Sequence, residues 1–244
     1  MWHRYVSRQN KTIQLYFVLG RKARYDNIQD VLGFQSPLNS SNFNIIRINL
    51  YEDYWNLSLK TIAMMQWISR HCTAAKYIAK VDDDTFVNIG SLINFLERAD
   101  EHNVTYTILG SIAVSHTIPR KGKARSIWGV NKASYPLNYW PHYANGFFYL
   151  FTNDITQRML ARTAMRTTPI VNIEDVFLTG IVRVLENITL GRINIKTQCS
   201  KKDYVKPHVI AVHHFNHARN RCAPSGRKQR KAGESLNVIK NETY

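Results

Sequence analysis

Two largely apolar runs, IQLYFVLG (13–20) and FNIIRINL (43–50), limit most strongly what this chain can fold into. A strand that is apolar on both faces has to be covered on both, as in a sheet flanked by helices. Between the two runs, GRKARYDNIQDVLGF (20–34) reads as helix or loop. The next stretch, NLSLKTIAMMQWISRHC (56–72), repeats Leu59, Ile62, Ala63 and Trp67 at helical spacing, so it is expected to lay that face on the sheet. KYIAKV (76–81) is a third strand, INFLERA (93–99) a further helix, and TYTILGSIAV (105–114) and GFFYLF (146–151) are further strands. Strands that alternate with helices at this spacing predict an α/β fold of doubly wound, Rossmann-like type. Its central sheet is expected to be mostly parallel, with helices on both faces. Residues 1–218 form one domain on this reading. From Arg219 onward the apolar pattern is lost, and 219–244 reads as a basic, flexible tail.

In such sheets ligands bind beyond the carboxyl ends of the strands, and there the third strand runs into Asp82, Asp83 and Asp84. Three adjacent carboxylates repel one another, and a divalent cation removes that penalty. On an extended backbone alternate side chains face the same way, so Asp82 and Asp84 are expected to share a site and Asp83 to point elsewhere. All-oxygen ligands suit Mg²⁺ or Mn²⁺, and an added imidazole moves the preference toward Mn²⁺. The competing reading is a solvated loop in which Asp84 caps the following segment. Placement directly after a buried strand favours the metal.

Two other clusters bear on the same site. In NIEDVFLTGIV (172–182), Glu174 and Asp175 precede an apolar helical run, where acidic residues also serve simply to complement the helix dipole. Beside a metal–phosphate site, such a carboxylate becomes a candidate general base. HVIAVHHFNH (208–217) is a strand followed by His213, His214 and His217, and a histidine there can be a structural residue or a third metal ligand. The stretch 115–145 has no periodicity and is rich in Pro, Tyr and basic residues, so it is expected to be a long loop over the site.

Lys plus Arg number 33 against 17 Asp plus Glu, a net charge of +16 that raises the question of nucleic acid. The tail from 219 holds only +5 of it, so the excess is spread along the chain. A positive field of this kind also suits a small polyphosphate ligand, and no helix-turn-helix, RNA-recognition or zinc-finger pattern points to a polymer. Nucleic acid is therefore not an expected partner; a basic enzyme using the aspartates for two-metal phosphoryl chemistry is the rival reading. Cys72, Cys199 and Cys222 allow at most one intramolecular disulfide. Six sequons begin at Asn10, Asn39, Asn56, Asn103, Asn187 and Asn241. With 21 Asn and 30 Ser plus Thr, chance gives roughly two to three, so the excess favours a protein of the secretory pathway. No apolar run approaches a membrane span and Met1 to Gln14 lacks a signal-peptide core, so the chain is expected to be soluble as it stands.

Six segments, taken in order, resemble the Golgi β1,3-galactosyltransferase and β1,3-N-acetylglucosaminyltransferase family, to which Fringe is related. LYFVLG (15–20) is similar to the family's opening strand, DYWNLSLKT (53–61) to its D-x-Y-x-N-L-T-L-K-T, and AKYIAKVDDDTFVN (75–88) to its A-K-Y-x-x-K-x-D-D-D-x-F-V-N. YWPHYANGFFYLFT (139–152), EDVFLTG (174–180) and VIAVH (209–213) resemble the remaining motifs. The resemblance implies a GT-A fold and a UDP-sugar donor. It also implies Mn²⁺ and inverting transfer to a glycan acceptor on a glycoprotein or glycolipid, giving a β1,3 linkage. Galactose is the expected sugar and N-acetylglucosamine the alternative; an inactive carbohydrate- or UDP-binding pseudoenzyme is the other alternative.

Carried onto this chain, the resemblance makes Asp82 and Asp84 the D-x-D pair, with Asp84, Asp82 and His213 holding the metal. Asp175 would be the base, with Glu174 second to it. Lys60, Lys80, Asp82 and Asp83 would hold the nucleotide sugar, and Tyr143 and Gly146 would shape the acceptor loop. It also implies a lumenal domain on a Golgi membrane. The family's N-terminal signal anchor is expected to be absent from this chain, and membrane association is expected only through such an anchor. Where many members have a cysteine this chain has Ala144, so Cys72 is expected to be unpaired.

Overall fold

The computed structural model describes residues 13–21, 44–114, 116–120, 128–196 and 208–213, together with the backbone of 238–239. The two apolar runs become β1 (Tyr16–Arg21) and β2 (Asn44–Tyr51), which pair in parallel as a two-stranded sheet. A short 3₁₀ turn, Tyr54–Asn56, leads into α1 (Leu57–His71). Asp53 holds the start of that turn by accepting a hydrogen bond from the Trp55 amide at 2.8 Å. The segment 22–43, with its expected helix or loop, lies outside the described residues.

β3 (Tyr77–Val81), β4 (Phe86–Val87) and α2 (Ile89–Glu101) follow. Asn88, rather than Asp84, caps α2, its side chain accepting from the Ser91 amide at 3.1 Å. Next come β5 (Thr107–Ala113), β6 (Tyr143–Thr152), α3 (Thr156–Thr163) and α4, a π-wound segment Val176–Val182 that continues into the turn Arg183–Leu185. β7 (Thr189–Arg192), β8 (Ile195–Lys196), β9 (Ala211–Val212) and β10 (Val238–Ile239) complete the described elements.

The α/β class is as expected, but the sheet is mixed, which corrects the expectation of a mostly parallel one. In the order β10-β7-β5-β6-β3, only β5 and β7 run parallel; β6 is antiparallel to both of its neighbours, and β10 to β7. The cause is the connection between β5 and β6. Parallel neighbours need a crossover, whereas Ala113 pairs with Tyr143, so this connection leaves and re-enters at one edge and reverses the chain. A further small sheet, β4-β9-β8, carries β9 and His213 to the same region.

Helices cover both faces, as expected. Ile108, Tyr149 and Phe151 of β5 and β6 pack with Met65 of α1, Met159 of α3 and Phe177 of α4. Leu109, Phe148 and Leu150 pack on the other face with Ile93 and Phe95 of α2 and with Ile210 before β9. The alternation is that of a pleated strand. One helix face differs from the reading of its sequence: α1 buries Ser58, Thr61, Met65 and Ile68, while Leu59 is 46% exposed. The rotation follows from its neighbours. Ser58 donates to the carbonyl of Val171 at 2.9 Å, and Trp67 turns sideways onto Tyr16 with ring centres 4.7 Å apart.

The connection 115–142 is more than a cover. Its described parts are pinned by bridges between Thr117 and Tyr139 and between Arg120 and Val130, and they sink Ile118, Tyr135 and Trp140 into the core. Of the expected tail, the backbone of Val238–Ile239 pairs with β7; the rest lies outside the described residues. Cys72 is a free thiol, while Cys199 and Cys222 lie outside the described residues. Among the described residues no helix is long and apolar enough to cross a membrane.

Phe148 is fully buried in the middle of β6, between β3 and β5. Replacing it by Ala is expected to lower stability by about 3–5 kcal/mol, read as a lower midpoint in urea unfolding followed by circular dichroism.

Candidate active site

β3 delivers Val81 to the sheet edge, and the chain then turns. The Thr85 amide donates to the carbonyl of Asp82 at 3.1 Å, so Asp82 to Thr85 form a tight turn instead of the expected extended stretch. The turn still brings Asp82 and Asp84 together and leaves Asp83 exposed. β9 pairs with β4 and presents His213 to the same spot, its Nε2 3.3 Å from an Asp84 carboxylate oxygen. Ligand atoms of Asp82, Asp84 and His213 all lie within 4.8 Å of one another, and all three side chains are half-buried. The His213 ring is fixed by stacking on Phe147 at 4.5 Å and 10°.

Two carboxylates and an imidazole fit a divalent cation of the Mn²⁺ type. Asp82 has less of its carboxylate to offer a cation, because it also takes a hydrogen bond from Lys80.

Lys80 is the hub of the site. Its ammonium contacts Asp82 and the carbonyl of Gly146 and lies 3.8 Å from Glu174, and its side chain is 12% exposed. Burial works against this charge, but the carboxylates of Glu174 and Asp82 outweigh it and hold the lysine pKa above its ordinary range. Two of its donors are taken by Asp82 and the Gly146 carbonyl, so Lys80 ties the end of β3 to β6 beside Glu174.

Glu174 is 6% exposed and accepts a hydrogen bond from the Tyr149 hydroxyl at 2.6 Å. Burial raises its pKa, against the pull of Lys80 and of that hydrogen bond. Asp175 is half-buried. One of its oxygens accepts from the Gly146 amide and the other from the Val176 amide, each at 2.9 Å. Burial raises its pKa too, while those two amides pull the other way. A Cβ at position 146 would stand 3.3 Å from the Asp175 carboxylate, a tight approach that glycine avoids. Tyr143, at the start of β6, has its hydroxyl pKa pushed up to about 12 by burial and by Asp175.

The expected residues therefore fall into one connected group with two exceptions, the exposed Asp83 and Lys60. Lys60 donates to both oxygens of Glu52, at 2.8 and 2.9 Å, and Glu52 also receives the amide of Gly20 at the end of β1. This pair sits at the ends of β1 and β2, apart from the hydrogen bonds around Lys80. Tyr149, Phe147 and Glu52 were not singled out from sequence. Tyr149 was legible in principle, because a tyrosine within an apolar strand needs a partner for its hydroxyl; the stacking role of Phe147 has no local signal.

The family model described as Galactosyltransferase matches residues 1–194. Beta-1,3-galactosyltransferase 5 of Mus musculus is 28% identical over 177 residues, which cover 72% of this chain and 54% of that protein. Beta-1,3-galactosyltransferase 1 of Mus musculus is 29% identical over 174 residues, covering 71% of this chain and 50% of that protein. N-acetyllactosaminide beta-1,3-N-acetylglucosaminyltransferase 2 of Mus musculus is 27% identical over 166 residues, covering 67% and 40%. The chain thus spans about half the length of the curated relatives it matches. The matched span contains the aspartate turn, β6 and the Glu174–Asp175 pair, and the chain belongs to the galactosyltransferase family.

Proposed function

We propose that the chain is an inverting glycosyltransferase. It moves a hexosyl group, galactose, from a UDP-sugar to the 3-hydroxyl of an acceptor sugar on a glycoprotein or glycolipid, forming a β1,3 linkage in the Golgi lumen. The observation that carries this reading is the network through Lys80, which joins a three-ligand cation cluster to a carboxylate pair. An inverting transfer needs one base on the acceptor side and a stabilised leaving group on the other, with no protein nucleophile. N-acetylglucosamine is the second reading for the sugar, favoured by the relative whose name specifies its transfer.

Asp84, His213 and Asp82 would hold Mn²⁺, which when bound supplies positive charge to the donor's diphosphate. Asp175 is the base in this scheme, because it is half-buried and reachable whereas Glu174 is covered and tied to Tyr149. It takes the proton of the acceptor 3-hydroxyl, whose oxygen then attacks the anomeric carbon from the face opposite the UDP. The bond from that carbon to the diphosphate breaks, and configuration inverts. The amides of Gly146 and Val176 fix the carboxylate in one orientation. We assign Asp83 and Lys60 to the donor side and Tyr143 and Gly146 to the acceptor side. The net charge of +16 suits a diphosphate donor.

The test is UDP release from UDP-galactose and UDP-N-acetylglucosamine across a panel of acceptors, with and without Mn²⁺. Release that requires Mn²⁺ and vanishes in Asp84→Ala is expected; release unaffected by either would sink the proposal. Asp175→Asn is expected to lower kcat about 100- to 10,000-fold while leaving UDP affinity unchanged in calorimetry.

The base acts only when ionised, and its pKa is raised, so kcat is expected to fall on acidification at a pH above the ordinary aspartate value. A pH profile of kcat reads this.

Lys80→Met removes the partner of two carboxylates, one of them buried, and is expected to cost about 3–5 kcal/mol at neutral pH. The raised pKa of Glu174 sets the sign of the pH dependence. Its penalty is present above that pKa and disappears as pH falls through it, so the gap to the unsubstituted protein should narrow in acid urea titrations.

A further inference from the structure

We propose that Asn103 and Asn187 carry N-linked glycans, both on the edge of the sheet opposite Asp82, and that the sequon at Asn56 stays bare. The inference rests on the lumenal part of the reading above.

An N-linked glycan is bulky and has to stand on the surface. Asn103 and Asn187 are both exposed, and both take left-handed backbone angles, φ 50 and φ 55. Each is the residue that turns the chain out of a helix and toward a strand. The Asn103 amide closes on the carbonyl of Asp100 at 3.0 Å, ahead of β5, and the Asn187 amide on that of Val184 at 3.1 Å, ahead of β7. Asparagine tolerates this conformation at a helix end, where the residue stands exposed.

The topology fixes which edge this is. β5 and β7 run parallel, with Thr107 opposite Thr189, so Asn103 and Asn187 precede the same, amino edge. β3 and β5 are both antiparallel to β6 and therefore share a direction, so Asp82 follows the carboxyl edge. At about 3.3 Å per residue, the length of β5 separates the two edges by about 20 Å. Glycans at Asn103 and Asn187 leave the carboxyl edge clear.

The sequon at Asn56 has the opposite character. The Asn56 side-chain amide donates to the carbonyl of Tyr51 at 3.1 Å, and the sequon hydroxyl, on Ser58, is buried against the carbonyl of Val171 at 2.9 Å. A sugar on the Asn56 amide would push into the contact that joins β2 to α1. Asn10, Asn39 and Asn241 lie outside the described residues.

The experiment is to direct the full chain into the secretory pathway of cultured animal cells with an added leader and collect the secreted protein. It is then treated with peptide N-glycosidase F in ¹⁸O-water and its peptides are mapped by mass spectrometry. Conversion of Asn103 and Asn187 to labelled aspartate, with Asn56 unconverted, is expected, and each of Asn103→Gln and Asn187→Gln should remove one glycan's mobility step. Either asparagine found unmodified, or Asn56 found modified, would overturn the inference. Occupancy is read on the unsubstituted chain, so the result does not depend on a variant folding. Mn²⁺-dependent UDP release by the same preparation reads the enzymatic proposal separately: both sites occupied without release would support the glycan sites and count against the activity alone.

Discussion

A single buried ammonium holds the site together. Lys80 stands between Asp82, Glu174 and the carbonyl of Gly146, and each of those groups belongs to a different part of the chain. Burying a lysine is costly unless its charge is paired and its donors are used. Here that condition can be met only if the end of β3, the middle of β6 and the start of α4 arrive together. The strand pairing sees to it: Lys80 lies opposite Tyr149 in the β3–β6 ladder, and Tyr149 is the residue whose hydroxyl holds Glu174. Each charged group is thus oriented by one that is itself fixed in the sheet.

The two carboxylates of the Glu-Asp pair illustrate how environment divides neighbouring residues. Glu174 faces inward, covered, paired with Lys80 and bonded to Tyr149; Asp175 stays half-buried with its two oxygens on backbone amides. Successive positions on a helix start point in different directions, so one acid serves the framework and its neighbour faces the space where a reacting group can stand. The same separation of tasks appears at the aspartate turn, where Asp82 is engaged by Lys80 while Asp84 and His213 face each other.

Much of this was legible in the chain because it is local. Apolar runs of strand length marked β1, β2, β3, β5 and β6, and an acidic triplet after a buried strand marked the place where Asp82 and Asp84 meet His213. Strand direction was not legible, since it depends on whether the connection 115–142 crosses over or doubles back, and no local pattern in that stretch encodes the choice. The buried face of α1 was misjudged for a related reason. A helix wedged between a strand and another helix has two sides to cover, and Ser58 and Thr61 could be buried because tertiary partners were available to them. The contacts of Lys80 with Asp82 and of Lys60 with Glu52 were likewise beyond reach, because sequence gives residue type and not which of several carboxylates a lysine meets.

Thr179 sits within the π-wound part of α4 and is fully buried. Its hydroxyl accepts from the amide of Ala144 at 2.9 Å and has the carbonyls of Asp175 and Ala144 within 2.7 and 3.0 Å. A π-wound turn loosens the regular ladder of a helix, and here a strand takes up part of what the ladder gives away. The helix that carries Asp175 and the strand that carries Gly146 therefore cannot open independently. In hydrogen-exchange terms they are expected to behave as one cooperative unit, so local breathing that admits water to the Ala144 amide also loosens the Asp175 carboxylate.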